Sequence, residues 1–326
     1  MKTKILRNCF IVLTASVTLI SSALAAEFTL NVNTSQTADD PMYKGLLEFK
    51  KNVEARTNGR IEVKTFSSSQ LGSDEDIIEQ IKTGAGIATV IDGARIAPDV
   101  SEFGILAAPY IVDNYAQIRK FIISPLFETW VTKLHDTGGM QVLSFNWYQG
   151  ERHLVTNKLI SQPSDLKGIR MRTIGAPLFL ETVRAMGATP TGMPWTEVYS
   201  ALQLKAIDAV EAQLPSIYGS RLYEVTKYIA KTRHIQLVTG LVGSQIWFDK
   251  LPENLQVILR EEALAAGDYA SNLTLDSLGS YEESIKTKGV TVTEVDLKLF
   301  IEATAPVYEK LNYVELKKQV DAVINE

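Results

Sequence analysis

Between residues 28 and 91 the sequence switches back and forth between two periodicities, and that switching restricts the fold more than any single motif does. Phe28-Thr29-Leu30-Asn31-Val32-Asn33 alternates apolar and polar residues, the pattern of a strand whose two faces differ. Pro41 then opens a helix that carries Met42, Leu46, Phe49 and Val53 on one face and stops at Asn58-Gly59. Alternation resumes from Arg60 to Phe66. Gly72-Ser73 leads into an acidic first turn, Asp74-Glu75-Asp76, followed by Ile77, Ile78 and Ile81 at helical spacing and by Gly84 as a stop. Gly86 to Ile91 reads as a buried strand. Strand, helix, strand, helix, strand is the signature of an α/β sheet with helical crossovers.

The organisation returns downstream. Gly168 to Arg172 reads as a short strand, Pro177 opens a helix with Phe179, Leu180, Val183 and Met186 on its core face, and Gly187 ends it. Thr196 is placed to cap a helix carrying Val198, Tyr199 and Leu202, and Ala206 to Val210 reads as another strand. After Leu251-Pro252, the spacing of Leu255, Ile258, Leu259, Ala263 and Ala266 predicts a helix to about Leu275. A further amphipathic helix is predicted from Ser277 to Lys288, then a strand over Val290 to Val295 and C-terminal helices from Leu297 to Asn325. Two α/β units with later segments free to return to the first give a bilobed reading.

The N-terminus fixes the expected compartment. Lys2, Lys4 and Arg7 precede an apolar run from Phe10 to Ile20 that closes on Ala23-Leu24-Ala25, the pattern of a secretory signal peptide over residues 1–25. A membrane anchor would need about 20 apolar residues. The single cysteine, Cys9, would leave with the peptide and lies too early to carry a lipid, so the mature chain is expected to be free in a bacterial periplasm, without disulfide, thiolate nucleophile or Cys-ligated metal. Cleavage takes three of the 33 basic residues and leaves 30 against 38 acidic ones, a formal charge of −8. Such a chain is a poor nucleic-acid binder, and any anion it holds must meet a local positive site.

Motifs of catalysis are absent from the sequence. His135, His153 and His234 are scattered with no partner at metal-ligand spacing, and there is no Gly-x-Ser-x-Gly, phosphate-binding glycine loop or dinucleotide fingerprint. The carboxylates of the 74–76 turn complement a helix dipole. Glu211 and Asp208 are the carboxylates expected near a strand end and a cleft, where Glu211 could serve as a general base. The arginines carry more information. Arg152 follows the aromatic run Phe145-Asn146-Trp147-Tyr148, and Arg172 ends a short strand before a helix. A planar guanidinium at a strand end can hold a carboxylate through two parallel hydrogen bonds, or can form an ordinary salt bridge.

Several phrases stand in one order along the chain: Arg152 with Thr156-Asn157-Lys158, Asp165-Leu166-Lys167-Gly168-Ile169-Arg170-Met171-Arg172, Gly187-Ala188-Thr189-Pro190, and Trp195-Thr196-Glu197-Val198-Tyr199-Ser200-Ala201-Leu202-Gln203, with Gln70-Leu71-Gly72 and Pro109 upstream. Together they resemble the substrate-binding subunits of tripartite ATP-independent periplasmic (TRAP) transporters of the dicarboxylate-binding type. The resemblance implies an α/β fold of two lobes with discontinuous domains, joined by hinge strands and a long lobe-spanning helix, with the ligand in the cleft between them. Lobe one would take residues 26–149 with about 238–277, and lobe two 150–237 with about 278–326.

It further implies that Arg172 makes the bidentate salt bridge to a ligand carboxylate, that Arg152 helps hold the acid group or the closed state, and that Trp195 sets an aromatic ring beside the ligand. Tyr148 and Glu211 join these as candidate binding residues, and Asn33, Asp92 and Gly93, at the ends of lobe-one strands, are the candidates for the opposite wall. One departure concerns specificity: many sugar-acid-binding relatives carry Asn directly after the Glu that matches Glu211, and here Ala212-Gln213 follows. The implied partners are a small organic acid and integral membrane permease subunits, with no cofactor, no metal and a monomeric state. The competing classes are a periplasmic enzyme acting on an organic acid through Glu211, a binding protein of an ABC-type or chemosensory system, and a structural periplasmic protein. Keto acid, dicarboxylate, sugar acid and aromatic acid all remain open as ligands.

Overall fold

The computed structural model describes residues 25–325; residues 1–24, where most of the expected signal peptide falls, lie outside the described residues. Among the described residues nine strands make one mixed sheet: β1 (Phe28–Asn33), β2 (Ile61–Phe66), β3 (Ile87–Asp92), β4 (Met140–Thr156), β5 (Arg170–Thr173), β6 (Thr189–Gly192), β7 (Ala209–Gln213), β8 (Tyr228–Ser244) and β9 (Thr291–Glu294). Their order is β2-β1-β3-β8-β4-β7-β5-β6, with β9 added beside β8. At one end β1, β2 and β3 run parallel, and at the other β5, β6 and β7 do. The antiparallel strands β4 and β8, each 17 residues long, connect the two ends. Their pairing shifts register four times between Val142 and Leu154, and Gly150 within that stretch has a φ of 108°, which favours glycine.

The expected βαβ units are present. Helix α1 (Pro41–Arg56) has Pro41 in its first turn and buries Met42, Leu46, Phe49 and Val53; α2 (Asp74–Lys82) is capped reciprocally by Ser73 and Asp76 and buries Ile77, Ile78 and Ile81. One core cluster joins α1 and β1–β3 to Trp147, Leu241 and the run Leu255 to Ala270; another joins Val155, Val198, Leu202, Val210 and Ile229 to Ile285 and Val290.

Two local expectations are corrected. Residues 253–287 form a single helix, Glu253–Thr287, of 35 residues. Its apolar stripe belongs to the first core as far as Ala270 and to the second at Ile285, so the change in pattern near Ser277 marks a change of partner and not an end. The Ser277 hydroxyl donates to the Thr274 carbonyl and so stays within the helix. Thr196 does not cap a helix: it sits inside a 3-10 turn, Trp195–Glu197, and the helix that follows (Val198–Gln203) starts after Glu197 with no side-chain cap. The last helix, Val314–Asn325, packs back beside the helix Tyr115–Ile122, and Tyr308 and Tyr313 donate to the Pro109 and Ser101 carbonyls.

Candidate functional site

A cleft that encloses about 410 Å³ of space, open solvent included, lies where the carboxyl ends of the parallel strands from both ends of the sheet converge. β1 delivers Ser35 and Gln36, β3 ends on Asp92, β5 presents Arg172 and is followed by Ile174, and β7 ends on Gln213. Ligands of open α/β sheets bind outside the carboxyl ends of strands, because there the loops leave backbone and side chains unpaired.

Arg172 is the least compensated charge in this cavity. Its side chain is 1% exposed. Its Nε and one terminal nitrogen donate to the Met193 carbonyl at 3.0 and 2.8 Å, and its guanidinium lies 5.2 Å from the centre of the Trp195 ring. Among the described residues no carboxylate is within ion-pair distance of it. Burial is the main cause that pushes this guanidinium down to about 9; the Glu211 carboxylate raises it, and Arg152 and Arg95 lower it further. Trp195 is held by its Nε1 donating to Ser220 Oγ at 3.0 Å.

Arg152 is in the opposite condition. It bonds Glu211 through Nε and through a terminal nitrogen at 2.7 Å, reaches the Glu211 carbonyl at 2.8 Å and Gln213 Oε1 at 3.1 Å, and lies over Phe179. Glu211 also accepts from Thr173 Oγ1 at 2.7 Å and faces His234 Nε2 at 3.4 Å. Burial acts to raise the Glu211 carboxyl, but the Arg152 charge and the bonds from His234 and Arg152 outweigh it and hold the group at about 2. From Gln213 the network continues to Gln149 (2.7 Å), from Gln149 to Gln36 (3.3 Å), and from Gln36 to Ser216 Oγ (2.7 Å). That chain ties the loop after β1 to the helix after β7.

The residues named from the sequence therefore fall into two groups. Arg172, Arg152, Trp195 and Asp92 line the cavity together. Glu211 stands behind the wall as the anchor of Arg152. Tyr148 stacks on Tyr115 with ring centres 5.0 Å apart and donates to Gln236. Asn33 is fully buried, donating to the Gly72 carbonyl and accepting from the Leu71 N–H, so it holds the loop before α2. Gly93 is a packing glycine, since a Cβ there would come within 2.1 Å of the Phe103 carbonyl.

Asp92 accepts from Arg95, whose guanidinium also bonds Glu75 at 2.9 Å and reaches Asp74 at 3.4 Å. Arg95, Asp74, Gln36, Gln149, Gln213 and Ser216 line the cavity without having been singled out as site residues. The available signal was position: Gln36 and Gln213 lie at or just past the carboxyl end of a parallel strand.

Comparison with known proteins agrees with this architecture. A family model described as bacterial extracellular solute-binding protein, family 7, matches residues 32–313. A TRAP periplasmic solute-binding protein from Escherichia fergusonii, solved in an open form without ligand, is 46% identical and superposes with a TM-score of 0.80 over 91% of this chain and 99% of its own. One from Ochrobacterium anthropi with bound L-fuconate is 30% identical, with a TM-score of 0.88 over 92% and 100% of the two chains. One from Roseobacter denitrificans with bound L-galactonate is 26% identical, with a TM-score of 0.87 over 92% and 99%. The two-lobed α/β fold expected from the sequence is the fold of these proteins. The chain belongs to family 7 of the bacterial extracellular solute-binding proteins, the TRAP transporter group of periplasmic solute receptors.

Proposed function

We propose that the cavity captures a small carboxylate, held through Arg172, and that the loaded protein delivers it to the integral membrane permease of a TRAP transporter. The observation that carries this reading is the buried Arg172 guanidinium with no carboxylate of its own beside it. A buried unpaired charge is destabilising unless a counter-charge arrives, and an acid group supplies it with the bidentate geometry that a guanidinium favours. Arg152, already engaged by Glu211 and Gln213, sets the wall and its potential. L-fuconate and L-galactonate in the two related structures support an acid of that general size. So does overall geometry: this chain is nearer to those ligand-bound relatives than to the more similar sequence solved open and empty.

Lobe one takes residues 26–149 with about 238–277 in this reading, and lobe two the remainder, with the C-terminal helix clasping lobe one. Closure is a hinge motion about β4 and β8, which the ligand stabilises by touching both sides. The protein is a receptor without turnover, because Glu211 is committed to Arg152, Thr173 and His234 and is not presented to the cavity. The chain acts in the periplasm after loss of its leader, as a monomer.

Thermal unfolding of the mature protein, stripped of co-purified ligand, against a panel of organic acids tests the reading. A bound acid should stabilise by about 2.7 kcal/mol at a hundred times its dissociation constant. Folded Arg172→Ala should lose that stabilisation. A shift that survives in Arg172→Ala, or no shift with any acid in the wild-type protein, would overturn it.

A further inference from the structure

We propose that the chain carries a second binding site, separate from the acid cleft: a groove along the open edge of β4 that takes an extended peptide segment of a partner protein as an added strand.

β4 has strand neighbours on both sides over only part of its length. It pairs with β8 from Met140 to Thr156, but with β7 only from Arg152 to Thr156. Around Asn146 to Tyr148 side chains take up the backbone instead: the Asn146 carbonyl accepts from Tyr115 and Ser271, and the Tyr148 N–H donates to Ser271. Over residues 141–145 neither applies. Beyond the ladder to β8, the one bond to this backbone among the described residues comes from the strand itself, where the Gln141 side-chain amide donates to the Val142 carbonyl at 2.6 Å. A strand edge offers a row of N–H and C=O groups to any further strand, and proteins ordinarily blunt it. Here the Gln141 amide supplies one donor of the kind that an added strand would bring.

Gln141, Val142, Leu143, Ser144 and Phe145 all line one groove. Successive side chains of a strand point to opposite faces, so a groove that meets five in a row runs along the edge. The walls agree with that placement. One is formed by Ile123, Phe127 and Val131, beside the core that holds Val142 and Phe145. The other is formed by Arg260 and Leu264 of the long helix, whose Leu259 and Ala263 share a core with Leu143. Elements that cover the two faces of the sheet thus stand as walls, and the unpaired edge is the floor.

Strand addition draws affinity from main-chain hydrogen bonds and selectivity from pockets for alternate side chains. At about 3.4 Å per residue the floor is roughly 17 Å long, enough for a strand of about five residues. The walls are apolar toward the mouth, with Ile123 65% exposed and Leu264 37%. Charge narrows the guest further. Arg260 on one wall and Glu128 on the other enter no salt bridge among the described residues, whereas Glu261 is taken by Arg56. The complementary guest is an extended, mainly apolar segment with an acidic side chain toward Arg260 and a basic one toward Glu128.

The test titrates fluorescein-labelled peptides, with Val, Ile, Leu or Phe at alternate positions and Thr, Glu and Lys between them, into the mature protein and follows fluorescence anisotropy. The tightest binder is then made in two N-methylated copies, each methylated on one of the two alternating sets of peptide nitrogens. In an added strand only one set faces β4, so one copy should bind about tenfold more weakly or worse and the other about as well as the parent. Ile123→Asp places a charge on the exposed wall and should weaken the parent peptide by a similar factor, leaving stabilisation by an acid in the cleft unchanged. Should Ile123→Asp fail to fold, the two methylated copies still decide. Absence of binding by every peptide overturns the inference. So do two methylated copies that both bind like the parent, which would make the site an apolar groove without strand pairing. Self-association of the protein in sedimentation that Ile123→Asp abolishes would put a second copy of this chain in the groove and overturn the assignment to a partner.

Discussion

Replacing Arg172 by methionine should abolish ligand binding and, at the same time, make the ligand-free protein more compact. In the arrangement described, the Arg172 guanidinium is buried against the Trp195 ring with one backbone carbonyl as its acceptor, and burial pushes it down to about 9. Each factor of ten in proton affinity corresponds to about 1.4 kcal/mol, so keeping the cation there costs on the order of 5 kcal/mol. In the proposed hinge motion that cost falls on the closed state, where the walls of the cleft meet over the side chain. Without an anion it opposes closure, and with one it is offset. Methionine keeps an unbranched apolar chain in the space and removes the charge. An equilibrium relieved of about 5 kcal/mol shifts several thousandfold, and half of that would still move most molecules to the closed form. Small-angle X-ray scattering reads the outcome directly. Ligand-free Arg172→Met should have the smaller radius of gyration of the acid-loaded wild type, and adding acid should not change it. A mutant that scatters like the ligand-free wild type would refute the idea that an unpaired charge holds the cleft open.

Two further outcomes follow from the same electrostatics. Glu211→Ala leaves Arg152 buried without its carboxylate and should lower stability by about 3–5 kcal/mol in chemical denaturation. Because the Glu211 carboxyl is held down at about 2, its contribution is complete above the ordinary glutamate value, about 4.3, and is lost as pH falls toward 2; the wild-type and mutant curves should converge there. Asp40 behaves with the opposite sign. Burial raises this N-cap carboxyl to about 7, so the folded state holds a proton that the unfolded state has shed above about pH 4, and stability declines as pH rises through 7. Asp40→Asn still accepts from the Met42 N–H and should remove that decline, raising the melting temperature at pH 8 and changing it little at pH 4.

The sequence was most legible where elements meet solvent on one side. β1, β2, α1 and α2 show their periods because one face of each is polar, and Ser73 and Pro41 mark helix starts by chemistry that acts within one turn. The two hinge strands were implied by family resemblance and not read from periodicity. β4 is buried along nearly all its length, and its polar residues are inside: Gln141, Ser144, Asn146 and Gln149 all lie in the interior with partners such as Leu264, Asp268 and Thr239. Alternation cannot appear in such a strand.

The long helix read as two because burial moves from one core to the other along it. For the site, arginines stood out because few other groups explain a guanidinium at a strand end. Asp74 was visible only as a dipole-complementing residue, since its neighbour Arg95 is brought to it from the far side of β3, a contact with no trace in local spacing.

The most direct measurement is calorimetric titration of ligand-free mature protein with an acid that it binds and with the primary amide of that acid, side by side. Saturable binding is expected for the acid and none detectable for the amide, whose neutral head cannot compensate Arg172. Equal affinity for the two would contradict the claim that a buried, unpaired arginine is what the ligand completes.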